Sequence, residues 1–377
     1  MPQNPKFVYG ETVMTPDNTQ TSETDIFSSV SLGSLTLANR IVMAPMTRSR
    51  AGSDAVPTDI MVDYYAQRAS AGLIISEGIA PSANGLGYCR TPGLFNSAQV
   101  DAWSRVTAAV HAAGGKMVAQ LMHVGRIANH LNKPVGSETV APSAVQARGE
   151  MYTDQSGMMP FDSPRALRVD EIGEVIEEYR RATENACSAG FDGVELHCTS
   201  GYLPAQFLST GTNQRTDAYG GSVKNRCRFA LEALAAMASV GGADRVGMRI
   251  CPDNPFNDLS DENPLDTFEH LLETSALLKL AYLHVIRLPS GAVDNIALAR
   301  RFFRDRLIVN DSYGFEEAST VVAGKTAAAV SFARPYIANP DLVERFRSGA
   351  ALAKFDPRSL YAGDARGYSD YPPLVNE

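Results

Sequence analysis

Short apolar runs recur along the chain, each bounded by turn-forming residues. They read NRIVMAP (39–45), GLIISEG (72–78), KMVAQLMH (116–123) and GVELHC (193–198), then RVGMRICP (245–252), AYLHVI (281–286), RLIVND (306–311) and AAVSFAR (328–334). Most are continuous and not alternating, the pattern of strands covered on both faces in a parallel sheet. Between them lie stretches with helical spacing. Residues 58–70 open on a Thr-Asp pair suited to capping, and 97–115 end on glycines. Residues 169–190 carry acidic residues early and arginines later, in keeping with the helix dipole, and 223–242 and 263–280 continue the alternation. Eight such strand–helix units predict a single-domain (β/α)8 TIM barrel over residues 26–377. The runner-up, an open doubly wound sheet, lacks its GxGxxG fingerprint in the first strand–helix turn.

One segment breaks the rhythm. Residues 124–169, after the third strand, are rich in Pro, Gly and Ser. A connection this long on the face where barrel sites are built is expected to be a lid. The first 25 residues are polar, without the apolar block of a signal peptide, and are expected to form a flexible arm. A net charge of −8 argues against nucleic acid and anionic membrane as partners. Five scattered cysteines without a CxxC pair argue against a disulfide framework or a zinc site, so no metal is expected and a cytoplasmic location fits.

Side chains at the C-terminal ends of barrel strands carry the chemistry of this fold. Those ends supply Thr47, Gly78, Gln120, His123, His197, Arg249, Asn310, Asp311 and Arg334. Cations, amides and a strand-end histidine around one mouth suit an electron-rich or anionic ligand. Cys198 beside His197 raises a Cys–His nucleophile, but neighbours in a strand point to opposite faces, so Cys198 is expected to pack outward. Asp253, Asp258 and Asp261 lack a regular ligand spacing and read as a solvated turn.

The blocks NRIVMAPMTRSR (39–50), YYAQRASAGLIISEG (64–78), QLMHVGR (120–126) and QFLSTGTNQRTDAYGGSVKNRCRF (206–229), with RPYIANPDL (334–342) and GYSDYP (367–372), carry a clear likeness. Over residues 26 to 372 the chain resembles the flavin-dependent Old Yellow Enzyme family of ene-reductases. The resemblance implies FMN at the barrel mouth and NADH or NADPH as reductant. It further implies reduction of an activated alkene such as an enone, in a monomer or homodimer. By motif, Thr47, Gln120 and Arg249 would contact the flavin ring, Arg334 its phosphate, and the backbones of Pro45, Met46 and Gly78 would lie along it. Tyr202 would be the proton donor, His197 one ligand of the substrate oxygen, and Tyr88 and Tyr368 walls of the substrate pocket.

Four positions depart from the family pattern. Ser200 stands where the oxygen-gripping pair has Asn or His, and its hydroxyl reaches less far. Met122 replaces a tryptophan; the chain's single tryptophan, Trp103, lies in a helical stretch and reads as structural. Asp311, followed by Ser312, stands where a glycine amide would hold the FMN phosphate, and Ala333 replaces the glycine before Arg334. A carboxylate near a phosphate is expected to weaken cofactor binding. These departures leave an alternative, a flavin-free or flavin-silent barrel catalysing isomerisation or cyclisation with His197, Tyr202 and His123 as acid and base groups.

Overall fold

The eight apolar runs become the strands of a closed parallel barrel in the computed structural model, which describes residues 25–374. They are β1 (Ile41–Met43), β2 (Leu73–Ile79), β3 (Met117–Leu121), β4 (Gly193–His197), β5 (Val246–Ile250), β6 (Tyr282–Ile286), β7 (Leu307–Asn310) and β8 (Ala329–Phe332). Each strand pairs with its neighbours in chain order, and β8 returns to β1 at Phe332 and Met43, so the sheet has no free edge. The arm expected over residues 1–25 lies, apart from its last residue, outside the described residues.

The crossovers are α1 (Asp59–Ala66), α2 (Ser97–Ala112), α3 (Val169–Ser188), α4 (Val223–Gly241), α5 (Pro264–Ala276), α6 (Asn295–Phe303) and α7 (Phe315–Ala323). Their starts are chemically marked. Asn96 accepts the Gln99 N–H at the head of α2, and Asp294 accepts the Ala297 N–H at the head of α6. None of the helices among the described residues is long and apolar enough to cross a membrane.

Alternation along each strand sorts the wall into two environments. On β4, Val194 and Leu196 join the apolar layer beneath the helices, and Cys198 does the same just beyond it, as the sequence predicts. Glu195 points inward to polar partners. The N-terminal end of the barrel is closed by a hairpin, Val30–Leu32 with Leu35–Leu37, whose leucines pack on Val42, Leu73, Ile75 and Val118. Gly33, at φ +60°, sits at its tip, where a Cβ would collide with the Asp244 carbonyl oxygen.

The long segment after β3 is not structureless. It contains an antiparallel hairpin, Glu150–Thr153 with Gly157–Pro160, and a parallel pairing of Val140–Ala141 with Arg165–Ala166. Asn132 ties its start to the Tyr152 carbonyl, and Asn129 to that of Pro160. The hairpin stands beside the mouth, held by these bonds.

Candidate active site

A polar layer crosses the barrel just below its mouth. The Gln120 amide donates to Glu195 Oε1 at 2.7 Å, and Glu195 Oε2 lies 3.0 Å from His284 Nδ1. A carboxylate only accepts, so Nδ1 carries the proton, and His284 Nε2 accepts from the Ser331 hydroxyl at 2.7 Å. Arg249 lies 3.0 Å from the same Nε2 and donates to Asn310 Oδ1 at 2.7 Å. Burial, then the Arg249 charge, pushes the His284 imidazole down to about 4. Burial alone would raise the Glu195 carboxyl, but His284 and Arg249 outweigh it and hold it below its ordinary value. The site floor is therefore a neutral imidazole between a buried guanidinium and its counter-charge. Sequence reading found Gln120, Arg249 and Asn310 but missed Glu195, His284 and Ser331. The signal was a polar residue at an inward position inside each apolar run.

Above this layer is a chamber of about 160 Å³, lined by Pro45, Met46, Thr47, Gly78, Gln120, Met122, His197, Ser200, Tyr202, Arg249 and Phe256. All but Phe256 are residues that the sequence assigned to the site. Gly78 follows a register shift in β2, and a Cβ there would run into the Met122 thioether. Met46, Thr47, Tyr202 and Phe256 also line a second, wider cavity of about 1180 Å³, so the two form one cleft. Tyr88, Ala333 and Arg334 face this outer part, as does much of the hairpin.

The side chains that the sequence assigns to catalysis meet in the inner chamber. The His197 ring meets Tyr202 edge-on, with centroids 4.9 Å apart, and its Nδ1 is buried without a hydrogen-bond partner. Burial, reinforced by Arg249 and His284, holds the imidazole well below its ordinary range, so His197 is neutral. Burial, then Tyr88, holds the Tyr202 phenol well above its ordinary value; it keeps its proton and donates to Tyr88 Oη at 3.2 Å. Ser200 sits at φ +58°, and Asn257 donates to its carbonyl at 2.8 Å. Phe256 and Asn257, from the turn after β5, escaped sequence reading; an aromatic in an otherwise polar strand-end turn was the available cue.

Three assignments are corrected. Tyr368 does not wall the cleft: it is fully buried, stacked on Tyr64 at 3.9 Å, with the Arg50 guanidinium 4.7 Å from its ring centre. It fastens the C-terminal segment to α1, and Tyr361 is the tyrosine of that segment facing the cleft. Asp311 and Ser312 are exposed and line neither cavity, because Arg287 holds both of their carbonyls from outside, at 2.7 and 2.9 Å. Their φ values of +89° and +56° keep the left-handed turn that glycines would adopt. His123 is also removed from the acid–base set: it is buried outside the cleft lining, and its Nδ1 accepts the Gly125 N–H.

The sequence matches the NADH:flavin oxidoreductase / NADH oxidase family over residues 25–353. The chain belongs to this family. It is 41% identical to a probable flavin mononucleotide-dependent alkene reductase of Leishmania infantum, covering 90% of this chain and 95% of that protein. It is 39% identical to 12-oxophytodienoate reductase 7 of Oryza sativa subsp. japonica, over 95% and 97% of the two chains. Among solved structures, morphinone reductase in complex with tetrahydroNAD superposes with a TM-score of 0.89 at 45% identity, over 93% of this chain and 98% of that one. The Old Yellow Enzyme homologue from Zymomonas mobilis gives 0.89 at 41%, over 93% and 100%.

The family's flavin fits the groups that line this cleft. A flavin's pyrimidine end offers one N–H between two carbonyls. Gln120 gives one N–H to Glu195 and keeps its second N–H and Oε1 free, while Thr47 and Arg249 bring donors to the same chamber. The Arg334 side chain, at the outer cavity, makes no hydrogen bond or ion pair with another described residue, which leaves it available to a phosphate. The Old Yellow Enzyme assignment thus rests on the chamber's donor and acceptor set as well as on likeness.

Proposed function

We propose that the protein reduces the C=C bond of an activated alkene, with NADH or NADPH as the electron source and FMN as carrier. One observation carries this reading: a neutral histidine, a serine hydroxyl and a phenol held in its protonated form face a single chamber above a buried guanidinium. When bound, FMN would supply the hydride chemistry, accepting hydride from the dinucleotide and giving it to the alkene's β-carbon. Thr47, Gln120 and Arg249 would hold its ring, and Arg334 its phosphate. His197 and Ser200 donate hydrogen bonds to the substrate oxygen, drawing electron density from the double bond. Tyr202 turns its O–H from Tyr88 to the α-carbon and delivers the proton. Five free cysteines support a reducing, cytoplasmic setting.

Tyr202→Phe separates the two half-reactions. Under anaerobic stopped flow, loss of absorbance near 450 nm on adding NADPH should keep its rate, while reoxidation by cyclohex-2-enone should slow by about 10² or more. Equal slowing of both, or of the first alone, refutes the proton-donor role.

A further inference from the structure

The hairpin beside the cleft shows an unusual face. Tyr152 and Met158 stand opposite one another across its two strands. An antiparallel hairpin packed on one side normally turns polar residues outward. Here Met151 is buried beneath, yet the outward pair is apolar, with Tyr152 53% and Met158 56% exposed. Both line the outer cavity, and so do two further exposed aromatics, Phe256 at 58% and Tyr361 at 60%. Those four come from three separate parts of the chain. Of nine large apolar side chains exposed among the described residues, four therefore surround this one opening. An apolar surface gathered at a concave site marks binding. Part of the cavity, beside Ala333 and Arg334, is where the FMN phosphate end would lie; the four exposed apolar side chains mark the part that remains for substrate.

Building on the alkene-reductase reading, we infer that the physiological substrate is an activated alkene carrying a large aryl or fused-ring apolar body. The activating oxygen enters the inner chamber between His197 and Ser200. The body lies along the outer cavity against Tyr152, Met158, Phe256 and Tyr361. Ser200 is shorter than an amide side chain and Met122 is adaptable, so the inner end accepts a wider head group.

The test uses the FMN-loaded enzyme and its Tyr152→Ala/Met158→Ala variant, both changes lying on an exposed face. Two enones are compared, cyclohex-2-enone and 4-(2-naphthyl)but-3-en-2-one, and flavin reduction by NADH and by NADPH is followed separately. The wild type should favour the naphthyl enone in kcat/KM. The double variant should lose about tenfold on it, as expected for withdrawing some 50 Å² of apolar contact, and less than twofold on cyclohex-2-enone. A variant that slows reduction by the dinucleotide and spares the naphthyl enone would assign the rim to the adenosine end of NAD(P)H and overturn the inference. Equal loss on both enones, or no loss on either, overturns it as well. A wild type whose flavin is reduced by NAD(P)H but reoxidised by neither enone would instead sink the alkene-reductase reading beneath it.

Discussion

Lowering the pH from 7 to 5 should destabilise this fold by about 4 kcal/mol. Three imidazoles are buried in neutral form: His123 pushed down to about 3 and His284 to about 4, both chiefly by burial, and His197 well below its ordinary range. The unfolded chain takes up a proton on each as pH falls through about 6.5, while the folded chain does not. A folded-state pKa below the unfolded one gives stability that is present above 6.5 and lost on acidification. Between pH 7 and 5 each imidazole withdraws about 2 kcal/mol, roughly 6 in all. Glu77 acts in the opposite sense. Burial pushes its carboxyl up to about 7, so the folded chain binds that proton first and regains about 2 kcal/mol over the same interval. The net loss of about 4 kcal/mol is a large share of the 5–15 kcal/mol that holds an ordinary domain together. Urea unfolding with saturating FMN, followed by far-UV circular dichroism at pH 7, 6 and 5, reads it directly. With a slope of about 3 kcal/mol/M, the midpoint should fall by a little over 1 M. A midpoint unchanged to pH 5, or a fall beginning only below pH 4.5 where carboxylates titrate, would refute the reasoning.

Three further outcomes are expected. Asp311→Gly should raise stability by about 1 kcal/mol by relieving a left-handed residue, with the FMN dissociation constant within about threefold; tightening beyond tenfold, by fluorescence titration, would place the carboxylate against the phosphate. Ser200→Asn lengthens the second donor at a φ that asparagine tolerates, and should raise kcat/KM for cyclohex-2-enone up to about tenfold; no gain would mean that the oxygen grip is already complete. Glu195→Gln leaves Arg249 without its buried counter-charge and should cost about 3–5 kcal/mol in urea unfolding at pH 7; a change under 1 kcal/mol would contradict the network as drawn.

The barrel was legible because each strand is buried on both faces, so its apolar run is continuous and its ends are marked by turn residues. The inner chamber was legible for a related reason. A strand end is fixed by the strand, and Thr47, Gln120, His197 and Arg249 each fall within a residue or a few of one. What sequence missed lies where that anchoring fails. Phe256 and Asn257 sit in an irregular turn, and Tyr361 in the C-terminal segment, whose course is set by Arg48 and Arg50 gripping carbonyls some 310 residues away. Tyr368, seven residues on, was assigned to the pocket because spacing alone cannot tell which tyrosine of that segment turns inward.

Glu195 and His284 were hidden for a different reason, and they join stability to function. A fully buried Glu–His–Arg cluster is a poor way to stabilise a barrel, since desolvation consumes most of what the charges gain. An apolar layer would fill the same space more favourably. Its presence makes sense if Arg249 must stay charged where FMN would bind, since a fixed cation favours the electron-rich reduced form. Glu195 keeps that cation from being an isolated buried charge, and neutral His284 lies between the two, bonded to Glu195 through Nδ1 and with Arg249 3.0 Å from its Nε2. The acid sensitivity and the reductase chemistry then share one origin. The imidazole that must remain neutral for Arg249 to sit there is also one whose protonation unfolds the protein.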